Sequence, residues 1–319
     1  MKCLVTGANG FIGTHLVRHL LDAGHEVRAV GSSEPMERVA SERLEYVQVA
    51  QSAVDSAIWQ GVCRDVEVVF HLAGRAHRGN DSSASARLAY LRDNLEMPRA
   101  LAEAALKERV RRFVFASSVT VYGAASAPSE AFREDSPVAP HSDDVYAQSK
   151  RAAEEFLLSD SAALEPVVIR LPLVYGAGVK GNMATLVRLA TSGLPLPLAG
   201  INNRRSFINI PNCVDFLLTA ACHPGAGWRI LLATDREDVS TPDLIRAIAR
   251  ESGKSARLFP VPSGLLKMAC SLLGQKARFE KLAGNFQIDP EASCALLDWS
   301  PKVGFAEGIA QMCAGYRGS

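Results

Sequence analysis

The 319-residue chain has almost no net charge: 35 Lys and Arg stand against 34 Asp and Glu, a formal +1. That balance gives no reason to propose nucleic acid or a membrane surface as a partner. No apolar run reaches the length of a membrane span, so no membrane insertion is expected. The most apolar late stretch, Gly264 to Gly274, is broken by Lys267 and Ser271 and reads as a core-facing helix rather than an anchor. Strand-like residues begin at Lys2 with no signal peptide ahead of them. There is no Cys-x-x-Cys among the seven scattered cysteines. Free buried thiols in a reducing cytoplasm are expected. His71, His77 and His223 have no metal-ligand pattern around them, so they read as structural and no metal site is expected.

What is present is a chain that is 48% hydrophobic and 22% charged, enough for a real core. Lys2–Thr6 is a short buried strand running into Gly7-Ala8-Asn9-Gly10-Phe11-Ile12-Gly13, with Ile12, Leu16, Leu20 and Leu21 then at helical spacing. Gly24-His25 ends that helix, and residues 26–30 form the next strand. Strand, glycine-rich turn, helix, strand is the context a dinucleotide fingerprint requires. Gly7 permits the tight turn, Gly10 lets backbone approach a pyrophosphate, and Gly13 allows close helix packing. Backbone around Asn9, Phe11 and Ile12 then meets the phosphates.

Tyr146 and Lys150 are four residues apart, on one face of a helix. A free phenol has a pKa of about 10 and is a poor base at neutral pH. A nearby ammonium is expected to lower it, and about 3 units of lowering needs ~4 kcal/mol. The pair is then a proton shuttle for alcohol/ketone interconversion.

The Thr6-Gly-x-x-Gly-x-x-Gly form resembles the short-chain dehydrogenase/reductase superfamily, specifically its extended branch, the NAD-dependent epimerase/dehydratase family. The likeness covers nearly the whole chain. Leu72-Ala73-Gly74 looks like the segment whose backbone lines the cofactor, and residues 75–93 read as a cleft wall or an ordinary loop. Asn94 opens a helix and maps onto an active-site asparagine, or serves only as a cap. Ser117-Ser118-Val119-Thr120-Val121-Tyr122-Gly123 resembles the family's Ser-Ser-x-x-Val-Tyr-Gly, which puts the catalytic hydroxyl on Ser118, with Thr120 as runner-up. Val119 and Thr120 lack the carboxylates of family dehydratases. Arg170 to Gly176 looks like a strand exit whose backbone, at Pro172, meets the nicotinamide amide. Asn182 and Arg205 fall where the family holds a sugar diphosphate, whereas Ser206 and Asn209 replace its Asp and His.

The resemblance implies an α/β fold, a doubly wound Rossmann-type parallel sheet with a smaller C-terminal α/β substrate lobe. Residues 1–175 are read as the NAD(P)-binding domain and 176–319 as the sugar-nucleotide lobe, with some segments returning to the first. An Asp or Glu after the second strand would bind the ribose of NAD. Gly31-Ser32-Ser33 stands there instead, so NADP(H) is favoured and NAD(H) is the other option, with Arg28 or Arg38 near the 2′-phosphate. Ala50-Gln51 replaces the acid that meets adenine. The favoured reading is a cytoplasmic NADPH-dependent reductase of a UDP-linked 4-keto-6-deoxy-N-acetylhexosamine in surface-polysaccharide synthesis. The alternatives are a UDP-sugar 4-epimerase with bound NAD and a non-catalytic relative. A homodimer is expected through the helix after Asn94 and the stripe Ala152, Ala153, Phe156, Leu157.

Overall fold

The computed structural model describes residues 1–34, 39–50, 53–75, 83–127, 130–159 and 164–317. Arg38, Gln51 and His77 lie outside the described residues. The strands among the described residues are β1 (Lys2–Thr6), β2 (Glu26–Gly31), β3 (Leu44–Gln48), β4 (Val68–His71), β5 (Arg112–Ser118), β6 (Glu165–Leu171), β7 (Leu173–Tyr175), β8 (Arg205–Asn209), β9 (Arg229–Leu232) and β10 (Asp238–Val239). The helices are α1 (Phe11–Asp22), α2 (Ser56–Cys63), α3 (Ala84–Leu91), α4 (Met97–Lys107), α5 (Val145–Ser159), α6 (Gly181–Thr191), α7 (Ile210–Cys222), α8 (Thr241–Glu251), α9 (Ser263–Leu272), α10 (Lys276–Ala283), α11 (Glu291–Leu297) and α12 (Phe305–Arg317).

Seven strands make one parallel sheet in the order β3-β2-β1-β4-β5-β6-β9. Successive strand residues face opposite sides, and both sides are covered. Cys3 and Val5 pack with α1 and α7, whereas Leu4 packs with residues of α2 and α4. This is the doubly wound Rossmann-type fold. The strand order reverses at β1 and β4, and a ligand crevice opens at the carboxyl ends of strands flanking such a point.

A three-stranded sheet, β10-β8-β7, carries the smaller half, with β10 antiparallel to β8. Its core draws on α6, α8 and α12. The chain returns to the large sheet through β9, which pairs with β6. All seven cysteines are free thiols, five of them buried. The apolar stretch 264–274 departs from expectation. It forms α9, which has no buried residue, because only its Leu266 and Cys270 side packs on the smaller core.

Candidate active site

The glycine turn leaves β1 and enters α1 with no room for side chains. Gly7 has φ +69°, and a Cβ there would lie 2.8 Å from Ala73 N, just past β4. A Cβ on Gly13 would run into Gly7 O. The turn and the β4 exit at Leu72-Ala73 therefore touch backbone to backbone. Thr6 ties them further: its Oγ1 is 2.9 Å from His71 Nδ1 and accepts from Ala73 N. Helix α1 starts at Phe11 with no side-chain cap. Its first-turn N–H groups, at Phe11, Ile12 and Gly13, are the kind of orphan donors that bind anions. A dinucleotide pyrophosphate fits this cradle, with Gly10 beside it.

The end of β2 corrects one expectation. A Cβ on Gly31 would lie 2.5 Å from Asn9 Nδ2, which donates to Ser33 O at 2.6 Å. A Cβ at 31 would push the Asn9 amide from its place, which gives the glycine a packing reason of its own. Arg28 is not at a 2′-phosphate site. Its guanidinium pairs with Glu45 at 2.7 Å and donates to the carbonyls of Val62 and Arg64. Ser32 sits exposed beyond Gly31, and its carbonyl accepts from Gln48 Nε2.

Beside the cradle, Ser118 ends β5 and Tyr146 and Lys150 project from α5. Thr120 Oγ1 donates to Ser118 Oγ at 2.9 Å, and Thr120 N donates to the same oxygen at 3.3 Å. With both lone-pair directions engaged, Ser118 offers its proton to the Tyr146 phenol oxygen. Lys150 Nζ donates to Ala116 O at 2.8 Å and lies 4.5 Å from the centre of the Phe115 ring. Burial pulls this ammonium down to about 8, with Glu154 opposing.

Burial also pushes the Tyr146 phenol up to about 12, against the Ser118 hydrogen bond. This reverses the expected lowering. The Lys150 ammonium is spent on a strand carbonyl, and desolvation of the phenolate outweighs what the chain offers it. His71, stacked against Phe113 and Phe115, is held neutral by burial, at about 3.

Asn94 does not open a helix. It is buried in a π-helical turn, Arg92–Glu96, that joins α3 to α4. Pro98 has no N–H for the Asn94 carbonyl and would crowd it in a regular helix. The wider turn relieves this, with Met97 N donating to Arg92 O. The Asn94 side chain accepts from Arg75 N and donates to Arg75 O and Ser149 Oγ. A Cβ on Gly74 would lie 2.7 Å from Asn94 Oδ1 and 3.5 Å from Lys150 Nζ. Asn94 therefore braces the β4 exit against α5.

Sequence reasoning missed the layer behind these groups. Glu154, one turn past Lys150, is buried and pairs with Arg170 at 2.7 Å. Ser117 Oγ donates to the same carboxylate, and Arg170 lies over the Tyr122 ring at 4.6 Å. The Lys150-x-x-x-Glu154 spacing was the available signal. Tyr90, buried with its ring centre 6.2 Å from that of Tyr146, had none.

On the small-sheet side, buried Pro172 separates β6 from β7. Asn182 is exposed in the first turn of α6. Arg205 starts β8, and its Nη1 donates to the carbonyls of Lys281 (2.6 Å) and Gly284 (3.2 Å) at the end of α10. Ser206 donates to Asp238 at 2.5 Å, and Asn209 is fully buried.

Sheet, switch point and cradle define a Rossmann-type dinucleotide-binding protein. Residues 3–230 match the model of the NAD dependent epimerase/dehydratase family, and the chain belongs to that family. It is 33% identical over 317 residues to a UDP-glucose 4-epimerase of Vibrio cholerae, covering 97% of this chain and 93% of that one. It is 25% identical over 305 residues to the N-acetyl-alpha-D-glucosaminyl-diphospho-ditrans,octacis-undecaprenol 4-epimerase of Escherichia coli O157:H7, covering 90% and 86%. A UDP-glucose 4-epimerase of Thermus thermophilus, solved in complex with NAD, superposes with a TM-score of 0.79 at 26% identity, over 100% of both chains.

Proposed function

We propose that the chain is a 4-epimerase of a UDP-linked hexose or N-acetylhexosamine that keeps NAD bound. The observation that carries this is similarity to UDP-glucose 4-epimerases along nearly the whole chain, one of them solved with NAD. The Asn9 amide over Gly31 gives the missing acid a packing reason that does not depend on NADP. When bound, the dinucleotide supplies a hydride acceptor that returns the hydride, and in its oxidised form a positive charge beside the site. Backbone N–H groups of Phe11, Ile12 and Gly13 would hold its phosphates, and the backbone at Leu72, Ala73, Gly74 and Pro172 would line its course.

With the positive charge of the oxidised dinucleotide favouring the phenolate, Tyr146 would take the proton from the carbon-4 hydroxyl and give it back. Ser118, held by Thr120, would turn its own proton from the phenol to the oxygen that becomes a carbonyl. Lys150 is anchored on Ala116 and keeps a positive charge at the site. Asn94 positions the Arg75 backbone and Ser149. Arg205, with Asn182, takes the sugar diphosphate through the guanidinium nitrogens that α10 does not occupy. Water elimination is disfavoured, since Val119 and Thr120 carry no carboxylate beside Ser118.

The free thiols fit a cytoplasmic enzyme. A homodimer through α4 and α5 would use Ala152, Phe156 and the exposed Leu106, because Ala153 and Leu157 are buried in the protomer's own core. The test is incubation of the purified protein with UDP-glucose and UDP-N-acetylglucosamine without added cofactor. Interconversion at carbon 4 with no net change in nicotinamide absorbance is expected. Turnover only of a 4-keto sugar nucleotide, with NADPH consumed in proportion, would overturn the reading.

A further inference from the structure

Six of the twelve large exposed hydrophobic side chains among the described residues belong to one region: Leu194, Phe259, Leu265, Met268, Leu272 and Leu273. Single exposed hydrophobics are ordinary on a protein surface, but a cluster marks an interaction site. Backbone pairing brings the pieces together. Leu196 N donates to Arg257 O and Phe259 N to Leu196 O, which sets the 194–196 strip beside the segment leading into α9. Within α9, Leu265, Met268 and Leu272 stand at helical spacing, on one stripe. The other side of the helix already has its partners, Leu266 and Cys270, in the smaller core. The outward stripe is not left over from core packing. Leu272 is 83% exposed and Leu273 75%.

The charge of this region also departs from the chain's balance. From Lys254 to Lys281 the sequence carries six basic residues (Lys254, Arg257, Lys267, Lys276, Arg278, Lys281) against one acid, Glu280. That acid is neutralised by Lys267 at 3.1 Å. Lys254 and Arg257 are exposed. A protein partner would need only the apolar stripe, whereas an apolar stripe on a locally basic segment is the pattern of a helix lying in a membrane interface. At ten residues α9 is about 15 Å long and too short to span a bilayer. No helix among the described residues is long and apolar enough to cross one.

We propose that α9, with the 194–196 and 257–259 segments beside it, docks this protein on an anionic bilayer surface. The outward leucines and Met268 enter the headgroup boundary, and Lys254 and Arg257 meet lipid phosphates. The near-neutral net charge hid this, because the acids that cancel these bases lie elsewhere in the sequence.

Co-sedimentation of the full chain with vesicles tests it, without sugar nucleotide, so the outcome is independent of the epimerase reading. Binding to vesicles of phosphatidylglycerol and phosphatidylcholine is expected, weakening with salt, with little binding to phosphatidylcholine alone. The double substitution Leu272→Ser/Leu273→Ser should lower the partition coefficient about tenfold or more. Arg257→Glu should lower it about fivefold or more. These residues are exposed, and both variants should keep the wild-type thermal midpoint. No binding to the anionic vesicles, or equal binding by the leucine variant, would overturn the proposal. So would sedimentation velocity in which the leucine variant turns an oligomer into a monomer, since a second copy would then cover the stripe.

Discussion

On the large sheet, Lys150 is held by a strand carbonyl, Ser118 by Thr120, and Asn94 by both sides of the Arg75 peptide. On the small sheet, Asn182 is exposed, and Arg205 is gripped through one nitrogen by the end of a helix that begins 71 residues later, at Lys276. The first set is buried and braced from several directions. The second is less buried and held from fewer directions. In the proposed epimerase, proton-transfer groups would need fixed geometry, whereas groups that discriminate among substrates would gain from being set by variable connections.

The sharpest division between the two regions should appear at Tyr146. Tyr146→Phe should lower turnover about ten-thousandfold while leaving NAD affinity unchanged, because phosphates and proton are handled by different residues. Isothermal titration together with a steady-state assay checks both, and wild-type turnover would remove Tyr146 from its role. Next in size is the layer behind the site. Glu154→Ala leaves Arg170 buried without its partner and should cost about 4 kcal/mol in urea unfolding. Replacing both partners with leucine should restore most of that loss.

The third effect is a pH slope. Lys150 titrates at about 8 in the fold against 10.5 unfolded. Between those values the unfolded chain holds a proton that the native state has released. Stability should therefore rise with pH across this window by about 3 kcal/mol from this group alone. Below pH 8 both states are protonated and the cost of burying the charge is fully present. Lys150→Met should lack that rise, as read by unfolding at pH 7.5 and at about pH 10.5. The smallest effect belongs to the small sheet. Arg205→Ala should raise the KM for the sugar nucleotide about tenfold and leave the affinity for NAD, read by titration, unchanged. Equal changes in both would mean that Arg205 serves only α10.

What could be read from the sequence follows the same division. The glycine turn and Tyr146/Lys150 lie in short stretches whose spacing already states their geometry, whereas Ser118 comes from the resemblance to the family's Ser-Ser-x-x-Val-Tyr-Gly. The parallel order of strands follows from alternation of strand and helix. The side chain that packs over Gly31 lies 22 positions away in Asn9, and no local pattern points there. The Tyr146 pKa depends on burial, which spacing does not encode. Helix α9 looked like core because its composition is apolar, but composition does not say which side of a helix is covered.

The π-turn at Arg92–Glu96 has a consequence for how this region tolerates change in length. Such a turn absorbs about one residue more than a regular helical turn. The faces of α3 and α4 are therefore out of step by about 100° relative to an unbroken helix. Tyr90 meets the Tyr146 ring from the first frame, while Met97, Leu101 and Ala104 meet the sheet-side core from the second. Deleting one residue between 92 and 96 would remove the extra residue and set Pro98 in a regular helical turn, where its ring crowds the carbonyl four residues before it. With α4 fixed by its packing, everything before the turn would swing by more than a quarter turn, and Tyr90 would leave the phenol. The aromatic wall beside Tyr146 is thus addressed by a residue count, and an ordinary substitution scan would not detect it.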